Sequence, residues 1–172
     1  MKIGIAIALV VTVGVLNGQE RAASDILTTL RANSSVGLFA NSAPLSAMAE
    51  DLSGGGSLTV FALSDQAFAM LPREEWKILM TNRVALHLLL AHYVVPGVVR
   101  KDDPAGLIAA RTIMGSALRV DVRNEGVYVN GAIPVGDGIE CSNGIIYVLD
   151  RFDPGFVHEA VARVTNRTIT RQ

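Results

Sequence analysis

The chain has 172 residues, half of them hydrophobic by type, and 15 basic against 16 acidic side chains give a formal charge of -1. This length predicts one domain with a short extra segment at one end. The apolar content excludes low-complexity disorder, and the charge argues against a nucleic-acid binder that relies on a strong positive field. A single cysteine, Cys141, excludes an internal disulfide framework and any multi-cysteine zinc site.

The N-terminal segment predicts export. Lys2 is the only charge before Glu20, and an apolar run from residue 3 to residue 16 lies between them. The run has the length of a signal-peptide core and is shorter than the about 20 apolar residues that a membrane span needs. We therefore expect residues 1–18 to be a signal peptide, with an uncleaved anchor or a buried β-strand as the alternatives.

Helical patterns dominate the first half of the remaining chain. Ser24 or Asp25 is the expected N-cap of a first helix. Residues 58–63 form an apolar run that is typical of a buried strand, and Ser64-Asp65 offers an N-cap to a short helix after it. From Arg73 to Ala91 the chain is expected to be largely helical.

That long helical region is expected to divide in two at Thr81-Asn82, and a strand-like segment follows it over residues 93–99. The second half of the chain then changes to β patterning. Residues 118–122 alternate apolar and polar side chains, and Asn130-Gly131 and Asn143-Gly144 are hairpin signals because these residue types accept positive φ. Helices followed by a β meander predict an α+β fold.

Three segments of the chain carry a resemblance in their order: TVFALSDQAF at residues 59–68, HYVVPG at residues 92–97 and NGIIYVLD at residues 143–150. The first and the last are similar to the first and second motifs of the fasciclin-like (FAS1) domain family. Between them, residues 92–97, HYVVPG, are similar to a central His-Val-Val-Pro-Gly stretch, with Ala91 in the position where the family usually has tyrosine. The resemblance covers about residues 24–155 and leaves 156–172 as a C-terminal tail, a weak helix with a polar end.

The resemblance implies a domain in which N-terminal helices pack on a β-wedge or sandwich, with a C-terminal β meander. It also implies extracellular work in adhesion or matrix contact, without shared catalytic chemistry. Because Ala91 replaces the tyrosine of a stretch that is linked to receptor contact in such families, integrin-type recognition is not expected there. The motif residues are mainly fold determinants, and they are Thr59, Val60, Phe61, Ser64, Asp65, Phe68, His92, Asn143, Gly144 and Asp150.

The sequence shows no recognisable catalytic or metal-binding pattern. His87, His92 and His158 lack metal-ligand spacing, the serines lack Gly-x-Ser-x-Gly, and Cys141 is expected to be a buried, inert thiol. We therefore expect no catalytic residue, no metal ion and no cofactor. The predicted function is a secreted or cell-surface module for adhesion. An extracytoplasmic hydrolase with residues from distant positions and a carrier of a small apolar ligand are the alternatives.

The expected partners are extracellular matrix proteins, cell-surface proteins or polysaccharides, with no nucleic acid, and with membrane contact only through an uncleaved N-terminal segment. Asn33 and Asn166 fit the glycosylation pattern, which matters only in a eukaryotic secretory pathway. His92 is expected to be at least partly buried and to hydrogen-bond Ser64 or Asp65, which would join the first motif to the central strand.

Overall fold

The computed structural model describes residues 24–45, 47–104, 106–124 and 126–169, so the predicted signal peptide lies outside the described residues. A 3-10 turn over Ser34–Val36 joins the first two helices. The helices are α1 (Ile26–Ala32), α2 (Gly37–Leu45), α3 (Ala49–Ser53), α4 (Asp65–Ala69), α5 (Arg73–Thr81), α6 (Arg83–His92) and α7 (Pro154–Ile169). The strands are β1 (Leu58–Leu63), β2 (Val94–Pro96), β3 (Gly106–Arg111), β4 (Ala117–Arg123), β5 (Gly126–Val129), β6 (Ile139–Cys141) and β7 (Gly144–Leu149).

Side-chain caps define where several helices begin. The Asp25 carboxylate accepts a hydrogen bond of 2.6 Å from the Thr28 N–H at the start of α1. The Asn82 side chain accepts from two N–H groups of α6, at 3.0 and 3.1 Å, while its own N–H donates to the last turn of α5. Such caps satisfy backbone donors that have no partner inside the helix. The predicted division at Thr81-Asn82 is confirmed.

The strands form two sheets. The first has the order β2-β1-β7-β6, in which β1 and β7 are parallel neighbours and the other pairs are antiparallel. The second is the antiparallel meander β3-β4-β5. The α+β fold class is confirmed. The strands of the C-terminal half divide between the two sheets, because β3, β4 and β5 form the meander whereas β7 of the β6-β7 hairpin pairs with β1. Every residue of β7 is buried, so this strand needs a partner on each edge and cover on each face.

The main core lies between the first sheet and the helices. Helix α7 contributes to it, because Phe156, Val157, Ala160 and Val164 are buried along one side of that helix, and α7 packs against α5 and α6. The core therefore extends beyond residue 155, where the resemblance ended. Within the described ranges, the structure contains no helix with the length and apolar character that crossing a bilayer requires.

Candidate functional site

The second-motif residue Asn143 links three separate parts of the chain at one end of the β1-β7 pair. Its side-chain oxygen accepts a hydrogen bond of 2.8 Å from the Ile26 N–H at the start of α1. Its amide nitrogen donates to the Leu52 and Gly54 carbonyls at the end of α3, at 2.9 and 3.2 Å. Its backbone carbonyl accepts from the Leu58 N–H at the start of β1. Asn143 is therefore a structural residue that uses its polar groups within the fold.

Gly144 is the first residue of β7 and lies opposite Leu58 of β1. Its φ is +150°, and a Cβ built at this position would lie 1.9 Å from the Leu58 carbonyl oxygen. Only glycine allows the two strands to come together here. The predicted hairpin is confirmed, but its central residues are Ser142 and Asn143, and Gly144 already belongs to β7, where it pairs with Cys141.

Thr59 attaches the chain after β2 to β1. Its hydroxyl donates to the Gly97 carbonyl at 2.8 Å and accepts from the Val99 N–H at 2.9 Å, and the residue is completely buried. Because the hydroxyl has both partners, its burial leaves no unsatisfied polar group. Thr59 therefore acts as a structural residue, as the sequence predicts.

The first-motif polar residues lie at the opposite end of β1. Ser64 is the N-cap of α4, where its hydroxyl accepts from the Ala67 N–H at 3.2 Å, as predicted. Asp65 reaches another helix instead, and its carboxylate accepts a hydrogen bond of 2.8 Å from the Leu38 N–H in the first turn of α2. Asp65 therefore places a negative charge at the N-terminus of α2, where it is stabilised.

Asp150 ends the second motif near the same end of the sheet. Its carboxylate accepts from the Ile133 N–H at 2.9 Å and pairs with Arg151, and the pairing and these hydrogen bonds lower its pKa. Ile133 lies directly after the Asn130-Gly131 turn that follows the second sheet. Asp150 therefore connects the first sheet to the segment that leaves the second one.

The apolar motif residues form the centre of the core. Val60, Phe61 and Phe68 are each at most 1% exposed. Phe61 stacks on Tyr147, with ring centroids 5.8 Å apart. Phe68 makes an edge-to-face contact with Phe152 at 5.0 Å, a geometry that aromatic rings prefer.

The structure gives His92 a different partner from the predicted one. His92 is 3% exposed, as expected, but its Nδ1 lies 2.9 Å from the Ser116 hydroxyl, which also contacts the Thr112 hydroxyl at 2.8 Å. The prediction of Ser64 or Asp65 is wrong, because these side chains accept hydrogen bonds from backbone N–H groups of α4 and α2 instead. Ser116 lies in the turn between β3 and β4, a hairpin that the sequence patterns did not predict.

The surroundings of the His92 ring favour the neutral imidazole. The ring stacks on Phe156 of α7, with centroids 3.5 Å apart, and Nε2 is buried with no hydrogen-bond partner among the described residues. Burial lowers the pKa of His92 to about 4, although the carboxylates of Asp153 and Glu159 partly oppose this shift. When Nδ1 carries the proton and donates it to the Ser116 hydroxyl, the buried Nε2 holds a lone pair and no N–H group that lacks an acceptor. This arrangement favours the tautomer with the proton on Nδ1.

Residues 91–95 around His92 are buried, and within the central stretch only Pro96 and Gly97 are exposed. Ala91 is completely buried, next to the buried His92, and the Tyr93 hydroxyl accepts a hydrogen bond from the Asp153 N–H inside the protein. A receptor could not contact Ala91 or His92 in the folded protein. If the chain binds a partner, Ala91 and His92 therefore do not form the contact.

The remaining sequence candidates lie nearer to solvent. Cys141 is half-buried, so its predicted full burial is wrong; burial still raises the pKa of its thiol. Its position in β6, the edge strand of the first sheet, explains the exposure. Asn33 is half-buried and its side-chain oxygen caps the 3-10 turn. Asn166 lies in α7, and its side chain is outside the described residues.

The second sheet presents an exposed surface that the sequence analysis missed. Residues of β4 alternate between a buried side and an outward side, and direct cross-strand partners share the same side. We call the outward surface of this sheet the arginine face; its residues are Leu107, Arg111, Arg119, Asp121, Arg123 and Tyr128. The alternation over residues 118–122 was the signal that could have found it.

A shallow cavity of about 560 Å³ lies at one side of the arginine face. Asn130, Gly131 and Ile133 complete its lining, beside residues of β4 and β5. Arg123 pairs with Asp121 at 2.5 Å and covers the Tyr128 ring, with its guanidinium carbon 4.7 Å from the ring centroid. The cavity thus combines cationic, acidic, amide and aliphatic groups.

A second, more apolar groove lies between the α4-α5 corner and the start of α7. It has a volume of about 620 Å³. Its apolar lining includes Met70, Leu71, Phe152 and Val157, and Met70 is 71% exposed. At its edge the Nδ1 atom of His158 lies 3.7 Å from the Oε1 atom of Glu75. Within the described ranges, neither this groove nor any other place holds a group of three or more metal-ligating side chains.

Comparisons with known proteins agree with this architecture. The Synechocystis sp. protein sll1483 is 36% identical over 107 residues, which cover 60% of this chain and 58% of that protein. The immunogenic protein MPB70 of Mycobacterium bovis is 31% identical over 101 residues, 58% of this chain and 51% of MPB70. The chain thus spans little more than half the length of these two relatives.

The solved structures support the same relationship. The FAS1 domain pair of the insect cell adhesion molecule Fasciclin I matches 79% of this chain and 53% of its own, with a TM-score of 0.68 at 16% identity. This likeness concerns the fold. The sequence profile of the fasciclin domain matches residues 34–152, which include all three motif segments. The chain therefore belongs to the fasciclin domain family.

Proposed function

We propose that this protein is a secreted or cell-surface adhesion and interaction module, which binds an extracellular protein or polysaccharide at its surface and performs no catalysis. The observation that carries the proposal is the use of the motif residues. Hydrogen bonds within the fold engage the side-chain polar groups of Thr59, Ser64 and Asn143. Other molecules would therefore bind to the outer surface of the domain.

Membership of the fasciclin domain family and the fold shared with a cell adhesion molecule support this proposal. The exposed arginine face supports it as well, because charged and aliphatic groups remain together in solvent there. Arg and Tyr are among the residue types that are enriched in binding interfaces.

The test is a pull-down with the exported protein against matrix proteins and polysaccharides, with albumin-coated beads as the control. We expect saturable binding to at least one extracellular component and none to albumin. Turnover of a substrate without saturable binding to any component would overturn the proposal.

A carrier of a small apolar ligand is the second candidate, and the groove beside Met70 favours it. The volume of about 620 Å³ and the apolar lining match those of small-molecule pockets. The Met70→Glu variant should lose binding of a hydrophobic fluorescent dye, whereas Met80→Glu, on α5 outside this groove, should keep it. Equal dye binding by both variants and the unaltered protein would remove this candidate.

A further inference from the structure

The arginine face carries an excess of positive charge on a chain that is slightly negative in total. Among the described residues of this surface, Arg111, Arg119 and Arg123 are accompanied by one carboxylate, Asp121, while the formal charge of the chain is -1. Arg123 pairs with Asp121. Among the described residues, Arg111 and Arg119 have no acidic partner, so their guanidinium groups are available to an anion from solution.

The arrangement of these arginines suits an extended polymer. Residues two apart on one side of a strand lie about 7 Å apart, so Arg119 and Arg123 are separated by about 13 Å along β4. Arg111 of β3 lies opposite Ala117 of β4, which is the next outward-facing position beyond Arg119 in the direction from Arg123 to Arg119. An extended chain with regularly repeated anionic groups could therefore contact several arginines in turn.

Other groups on the surface indicate hydroxyl groups as well as negative charge. The Asp121 carboxylate repels an anion, but it accepts hydrogen bonds from hydroxyls. Tyr128 lines the same cavity, whereas the Asn130 side chain there is already bonded to the Arg119 N–H and to Asp153. Ile133, which is 48% exposed, supplies an aliphatic patch against which the C–H face of a sugar ring could pack. A polyanion without hydroxyl groups or sugar rings would make no favourable contact with the Asp121 carboxylate or with the aliphatic patch.

We propose that the arginine face is a binding surface for an acidic polysaccharide, whose carboxylate or sulfate groups pair with Arg111 and Arg119 and whose hydroxyls bond to Asp121 and the Tyr128 hydroxyl. This inference rests on the proposed function and names the partner class. The surface is open and shallow, as binding along a polymer requires, and the positive charge complements an anionic chain.

The test measures binding of the full exported chain to four immobilised polymers: polygalacturonate, which carries carboxylates; heparin, which also carries sulfates; neutral dextran; and polyglutamate. The double variant R111Q/R119Q is compared with R73Q, which changes an exposed arginine on α5. Urea denaturation of each variant confirms that the fold is unchanged, since all three side chains are exposed.

We expect binding to at least one acidic polysaccharide, weakened by salt, with R111Q/R119Q at least about tenfold weaker and R73Q within about twofold of the unaltered protein. A preference for heparin or for polygalacturonate identifies sulfate or carboxylate as the group recognised. Equal binding to polyglutamate would overturn the assignment to a polysaccharide, because charge alone would then explain the affinity.

Failure of this inference is distinguishable from failure of the proposed function. If R111Q/R119Q binds an acidic polysaccharide as well as the unaltered protein does, the arginine face is not the site, although the protein is still an interaction module. If the protein binds a matrix protein but none of the polymers, the polysaccharide assignment is overturned alone. If it binds none of these components, both proposals fail.

Discussion

The buried imidazole of His92 makes the stability of the protein depend on pH. The pKa of His92 falls from 6.5 to about 4 in the folded protein, so between these values the unfolded chain binds a proton that the folded chain does not. The free energy of unfolding should therefore fall by up to about 1.4 kcal/mol for each unit by which the pH drops in this range. Above pH 6.5 this contribution is constant.

The variant His92→Phe isolates that effect, because phenylalanine keeps the stacking on Phe156 and cannot bind a proton. Relative to His92→Phe, the unaltered protein should lose stability as the pH is lowered from 6.5 to 4 in urea denaturation. His158→Gln, which changes an exposed histidine of α7, should follow the unaltered protein. A pH-independent difference between the unaltered protein and His92→Phe would show that His92 does not titrate in this range.

Gly144 sets how closely β1 and β7 approach. In Gly144→Ala the new methyl group would lie 1.9 Å from the Leu58 carbonyl oxygen, and both atoms belong to the backbone of paired strands. Relief requires separation of the strands, so we expect a loss of at least about 4 kcal/mol in urea denaturation. Gly136→Ala has a positive φ of 79° and no crowding, and it should cost about 1–2 kcal/mol. Equal losses would mean that conformation, and not the close approach, explains the glycine.

Residue roles were predictable where they depend on neighbours in the chain. Ser64 and Asp25 cap helices that begin immediately after them, so their roles follow from local sequence. The partner of His92 was not predictable in this way, because Ser116 is 24 residues away and reaches the ring through the pairing of β3 with β4. The role of Asp65, at the start of α2, depends on tertiary packing in the same manner.

At the level of elements, strand β3 shows how pairing decides structure. Residues 106–111, GLIAAR, contain glycine and two alanines and lack a regular alternation, so local preference does not predict a strand. The neighbouring β4 has that alternation and provides six paired positions for β3. The β6-β7 hairpin was predicted from its turn, but the parallel pairing of β7 with β1 has no local signal.

Helix α7 is expected to be required for folding. A chain that ends at Gly155, where the sequence resemblance ends, loses the buried Phe156, Val157 and Val164 and exposes the His92 ring. Each large apolar side chain contributes about 1.5–3 kcal/mol when buried, and the sum is comparable with the about 5–15 kcal/mol that stabilises a typical domain. Thermal unfolding followed by circular dichroism should show no cooperative transition.

A chain that ends at Ile169 is the control for this truncation and should unfold like the complete protein. If the chain that ends at Gly155 unfolds cooperatively at nearly the same temperature, α7 is an accessory to the domain and not a part of its core.

For the molecule as a whole, the leading expectation concerns export. Lys2 and the apolar run to residue 16 predict cleavage near Gly18. Intact-mass measurement of the protein recovered outside the cytoplasm should show a chain that begins close to residue 19. Recovery of the unprocessed chain from the cytosol would refute this prediction.

The parallel contact between β1 and β7 also affects the order of events during folding. Residues 58–63 pair with residues 144–149, so the central sheet cannot be completed until most of the chain has been synthesised. Closing such a long loop costs entropy before the contact returns any stabilisation, and domains rich in such distant contacts fold slowly. Until residues 144–149 have been synthesised, β1 lacks its parallel partner, and an incompletely folded polypeptide is the form that can be threaded through a narrow translocation channel.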